Sequence, residues 1–144
     1  MRVLLIDQIA KVNYKYTFPL ANALKKAGVD IEVVIDQKME KENCLCIFLD
    51  GSMNRLKDVT ISIGSVNASI ISSREVFMEA LRAKAVYIVL LHNHPSGNAT
   101  PSNADKEVTS RIYQASLLMD IPLLDHIIIG DNCYYSFKEN NLIT

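Results

Sequence analysis

The chain has 144 residues, 49% of them hydrophobic and 22% charged, which suits one ordinary globular core and excludes a disordered polyelectrolyte. Fifteen basic against 16 acidic residues leave a net charge of −1, so no basic excess exists to drive binding to nucleic acid or an anionic membrane. No apolar run approaches the ~18–20 residues of a membrane span, and the apolar stretch 3–6 is short for a secretory leader; the expected compartment is the cytoplasm.

In chain order, residues 3–6 read as a short strand. Phe18, Ala21, Leu24 and Ala27 recur at helical spacing and stop at Gly28, a C-terminal signal. Residues 31–35 read as a second strand, so the first 36 residues suggest a β-α-β unit, one without a Gly-rich phosphate loop. The polar run 37–43 is the best junction, which divides the chain into an N-terminal segment, 1–38, and a main domain, 39–144. Residues 44–49 form an apolar strand closed by the turn signal Asp50-Gly51-Ser52. Val59, Ile61 and Ile63 alternate with polar residues as an antiparallel partner would.

Residues 73–83 predict a helix with Val76, Phe77, Ala80 and Leu81 on one face. Residues 86–91 are uninterruptedly apolar, the pattern of a strand buried on both faces. A long helix follows over 102–118, then a buried strand over 123–129, a turn, and a last strand over 133–137. Hairpin and crossover connections are mixed, which predicts an α/β fold with a mixed β-sheet and flanking helices. Cys44, Cys46 and Cys133 offer no even disulfide framework; Cys44 and Cys46 alternate on one strand face as small core residues.

Chemistry concentrates after the buried strand, in His92-Asn93-His94-Pro95-Ser96-Gly97 and Pro101-Ser102-x-x-Asp105. On extended chain, i and i+2 point the same way, so both imidazoles can reach one point. Asp105 falls in the first turn of the next helix. Two imidazoles and a carboxylate make a zinc shell with a position left open for water, the arrangement of catalytic rather than structural zinc. Ser102-x-x-Asp105 is equally a capping-box signature, with Ser as N-cap and Asp reaching back. His126 reads as a hydrogen-bonded core histidine or as a partner behind the metal ligands.

H-x-H-x7-S-x2-D resembles the motif of the JAMM (MPN-type) metalloproteins. Residues 63–69 (IGSVNAS), 74–77 (REVF), 91–98 (LHNHPSGN), 124–130 (LDHIIIG) and 134–137 (YYSF) resemble the RadC family in particular, over roughly residues 40–144. The resemblance implies a cytidine-deaminase-like α/β fold and a zinc hydrolase site that cleaves peptide or isopeptide bonds. It makes His92, His94 and Asp105 the zinc ligands. Ser102 becomes the motif serine that supports the reacting oxygen. Glu42, just before an apolar strand ending in Leu49-Asp50, becomes the general base, with Glu40 as the alternative register. The implied partner is a peptide or protein substrate. The contrasting reading is a catalytically inactive metal-binding module, or a DNA-repair-associated interaction module of the kind the RadC family suggests. Nucleotide deamination is disfavoured because C-x-x-C is missing. Residues 1–38 lie outside the resemblance.

Overall fold

Strand alternation builds the sheet of this computed structural model, which describes residues 42–63, 71–131 and 133–144. The β-α-β reading of 1–38 lies outside the described residues. Strand β1 (Asn43–Leu49) sends Cys44, Cys46 and Phe48 to one face and Ile47 and Leu49 to the other, and all five are buried. The chain turns at 50–54, where the Asp50 carboxylate accepts the backbone N–H groups of Ser52 and Asn54 at 2.8 and 2.9 Å. Strand β2 (Arg55–Ile63) then runs antiparallel to β1. It begins four residues before the expected alternation, because ladder pairing with β1 also carries the charged stretch from Arg55 to Asp58. Such charges suit an edge strand.

Helix α1 (Ser73–Arg82) is capped by Ser72, whose hydroxyl accepts from the Glu75 N–H, and buries Val76, Phe77 and Ala80. Strand β3 (Tyr87–Asn93) lies at the centre, antiparallel to β1 and parallel to β4 (Leu123–Ile129). Helix α2 (Asn103–Met119) makes the crossover that a parallel pair requires. It buries Val108 and Ile112 and ends at Asp120 in left-handed conformation, φ 52°. Strand β5 (Tyr134–Ser136) closes the order β2-β1-β3-β4-β5. This is the mixed sheet with helices that the sequence predicts.

Both helices pack on the sheet face that carries Cys44, Cys46, Phe48, Ile88, Leu90 and Ile128. Ile47, Leu49, Val89, Leu91, Ile127 and Ile129 form a second apolar cluster from the opposite face. Strand β3 runs two residues beyond its apolar stretch. His92 pairs with both Cys44 and Ile128, and Asn93 with Ile129, so His92 stands inside the sheet rather than after it. Among the described residues no helix is long and apolar enough to cross a membrane.

Candidate metal centre

The helix-facing side of β3 carries Ile88, Leu90 and then His92, so pleating alone aims this imidazole between the sheet and α2. Asn93 points the other way, and its side-chain oxygen accepts the Asn43 N–H at 2.7 Å. That bond fixes the start of β1, one residue after Glu42. His94 lies past the strand end. Its N–H still donates to the Ile129 carbonyl at 2.8 Å, and its carbonyl accepts from Gly97 N–H at 3.0 Å. Gly97 sits at φ +79°, a conformation suited to glycine, which lets the chain turn back here. The turn places the Asn98 carbonyl 2.7 Å from His94 Nδ1. A carbonyl only accepts, so Nδ1 carries a proton, and Nε2 is the nitrogen turned toward Asp105.

Helix α2 opens with a capping box. Ser102 Oγ accepts from the Asp105 N–H at 3.1 Å, and Asp105 Oδ2 accepts from the Ser102 N–H at 2.7 Å and from its hydroxyl at 2.6 Å. This reaching back turns the carboxylate toward the histidines. His92 Nδ1 lies 3.1 Å from Asp105 Oδ1, and His94 Nε2 lies 3.3 Å from Oδ2. The two rings meet edge to face, with centroids 4.7 Å apart. Glu42 lies close by: one ligand atom each of Glu42, His92 and His94 all lie within 4.8 Å of one another. Both carboxylates thus converge on the same pair of imidazoles.

These residues fit a metal. Ligands ~2.0–2.1 Å from a tetrahedral zinc stand roughly 3.3 Å apart, close to the His92–Asp105 and His94–Asp105 separations. Nδ1 is the His92 nitrogen at that spacing, while its Nε2 is buried with no hydrogen-bond partner, an arrangement that ordinarily costs stability. Imidazole and carboxylate are donors that zinc accepts readily.

The electrostatics hold Asp105 ionised beside the two imidazoles. Burial pushes the Asp105 carboxyl up, but hydrogen bonds from His92, His94 and Ser102 outweigh it and hold the group well below the usual carboxylate range. The Asp105 carboxylate in turn raises His94. Burial drives His126 down to about 3, so it stays neutral. Burial and the nearby Asp105 charge push the Cys44 thiol up to about 12, which leaves it protonated and a poor ligand.

All five residues expected at the site have described positions: Glu42 at the mouth of β1, His92 in β3, His94 in the turn after it, Ser102 and Asp105 at the start of α2. Sequence reasoning missed Thr109. Its hydroxyl bridges the Asp105 carbonyl and the His126 ring at 2.6 and 2.7 Å. The i, i+4 spacing from Asp105 to Thr109 was the available signal, since such pairs share a helix face.

Among the described residues, a five-stranded mixed sheet with two helices on one face, and a two-histidine, acidic group that could hold a metal, are consistent with the JAB/MPN class. A family model described as the RadC-like JAB domain matches residues 24–142, and the chain belongs to that family. The match starts inside the segment 1–38 that the sequence reading set apart. The chain is 50% identical over 101 residues to a UPF0758 protein of Halalkalibacterium halodurans, covering 70% of this chain and 44% of that protein. It is 44% identical over 105 residues to one of Clostridioides difficile, covering 73% and 45%. With one of Chlorobaculum tepidum it shares 47% identity over 103 residues, covering 72% and 46%. The chain therefore spans less than half the length of these relatives, and their names state no activity.

Proposed function

We propose that this domain is a zinc-dependent metallohydrolase that cleaves a peptide or isopeptide bond in a protein or peptide substrate. The observation that carries this reading is the contact of His92 and His94 with Asp105, at 3.1 and 3.3 Å, together with Glu42, whose ligand atom lies within 4.8 Å of those of both histidines. His92, His94 and Asp105 would hold the ion. When bound, zinc supplies a Lewis acid that eases deprotonation of water near neutral pH and polarises a carbonyl.

The chain's own residues do the rest. Glu42 accepts a proton from the attacking water as its oxygen bonds to the carbonyl carbon. Glu42 then returns that proton to the amine nitrogen as the C–N bond breaks. His94 Nδ1–H, tied to the Asn98 carbonyl, keeps Nε2 as the coordinating nitrogen. Ser102 holds Asp105 through its hydroxyl. A turn about its Cα–Cβ bond would redirect that proton to the developing oxyanion. The near-neutral charge suits a protein substrate better than a nucleic acid.

The test is the metal content of protein purified without chelator, followed by hydrolysis of a fluorogenic peptide library. About one zinc per chain is expected, lost in His94→Ala, with cleavage abolished by chelation and restored by zinc. Well-folded protein that takes up no zinc would overturn the reading. Zinc without cleavage would leave a metal-binding module.

A further inference from the structure

We infer that Thr109 and His126 are positioning residues that hold Asp105 and His92 in ligating geometry, an inference that rests on the metal site proposed above. Thr109 is buried on α2, one turn after Asp105, and His126 is buried on β4. The Thr109 hydroxyl lies 2.6 Å from the Asp105 backbone carbonyl and 2.7 Å from His126 Nδ1. A threonine hydroxyl has one proton and a carbonyl only accepts, so that proton goes to Asp105. The His126 contact must then run the other way, from Nδ1–H to Thr109 Oγ1. The bonds form one directed chain: the His126 ring donates to Thr109, and Thr109 donates to Asp105.

This assignment places the lone pair of neutral His126 on Nε2, which is buried and has no hydrogen-bond partner. The ring is stacked between two others. Phe137 lies at 4.9 Å and 7°, and His92 at 6.0 Å and 19°. Phenylalanine would fill such a slot without desolvating a polar nitrogen. The polar feature a histidine adds among the described contacts is the bond to Thr109. Two ligands are held as a result: Asp105 through its backbone carbonyl, and His92 through the plane of its ring. Partners behind a ligand commonly set its orientation, and their loss costs ~10–100-fold in metal affinity.

The test is titration of Co2+ into the metal-free domain, read by its visible absorption spectrum and by competition with a chelator. Thr109→Val keeps the shape and removes the hydroxyl; His126→Phe keeps the stack and removes the donor. Each is expected to weaken Co2+ binding by about 10–100-fold and to alter the spectrum, while Thr109→Ser restores both. Thermal unfolding of the metal-free forms establishes that each variant folds, and Thr109→Ala replaces Thr109→Val if that variant does not. Wild-type affinity and spectrum in the folded variants would overturn the inference alone. A wild-type domain that binds neither Co2+ nor Zn2+ would overturn it together with the hydrolase reading.

Discussion

His92 and Asp105 meet with ring nitrogen 3.1 Å from carboxylate oxygen, one delivered by the central strand and the other by the first turn of α2. The same carboxylate caps its helix and faces His94. Capping and ligation, which the sequence presents as competing readings of Ser102-x-x-Asp105, are thus geometrically compatible in one side chain.

Asp105→Asn distinguishes the two carboxylates. Amide for carboxylate removes the charge and weakens the bonds to Ser102, which is expected to cost about 1.5–3 kcal/mol of metal-free stability. Metal affinity should fall by more than the ~100-fold typical of losing an outer partner. Chelator competition measures it. Unchanged affinity would shift the site to the alternative grouping of Glu42 with the two histidines.

Glu42→Gln is the complementary variant. In the proposed role of general base, Glu42 serves turnover and not ligation, so zinc content should stay at the wild-type level. The rate of peptide cleavage should drop by about 10²–10⁴-fold. Parallel loss of zinc would make Glu42 a ligand instead.

Gly130→Ala tests the support beneath the histidine turn. A Cβ there would lie 2.3 Å from the Gly97 carbonyl oxygen and 2.8 Å from the Ala99 nitrogen, both backbone atoms of the loop that orients His94. Relief requires that loop to shift. The expected cost is ~1–3 kcal/mol in thermal or urea unfolding, with weakened metal binding. Gly51→Ala is the control, since its Cβ meets only Val86 Cγ2 at 4.0 Å, and little change is expected.

Acid should erode the stability that neutral His126 contributes. Burial lowers its folded-state value to about 3, against 6.5 in the unfolded chain, so between these values the unfolded chain binds the extra proton. Stability from this group is complete above pH 6.5 and falls by ~1.4 kcal/mol per pH unit toward pH 3. Asp125, raised by burial, slopes the opposite way above its usual range, so the comparison must be differential. In metal-free protein, the gap in unfolding free energy between wild type and His126→Phe should move in favour of the variant as pH drops from 7 to 4.5. A gap independent of pH would show that folding does not disfavour the protonated form of His126.

The pattern of elements was legible because pleated and helical periodicities are local. Residues 44–49, 73–83 and 123–129 read within a residue or so of β1, α1 and β4. β2 and β3 were read short. Arg55, Lys57 and Asp58 carry no apolar signal, and His92 and Asn93 are polar, yet each is carried by ladder bonds to a neighbouring strand. Thr109 was missed because a threonine inside a helix looks ordinary until its partner, 17 residues on, is known.

Sequence by itself determined the chemistry available at the site: two imidazoles at i and i+2, a carboxylate one helical turn from its cap, and a glutamate before an apolar strand. Those are consequences of bond geometry over a few residues. Only the tertiary structure decided that they share a point. The parallel pairing of β3 with β4 and the crossover through α2 bring His92 to Asp105, and the antiparallel pairing of β1 with β3 brings Glu42 to both histidines. The same packing links His126 to Asp105 through Thr109. Strand order is chosen by burial of two apolar faces over the whole sheet, a sum of contacts distant in sequence that no local spacing encodes.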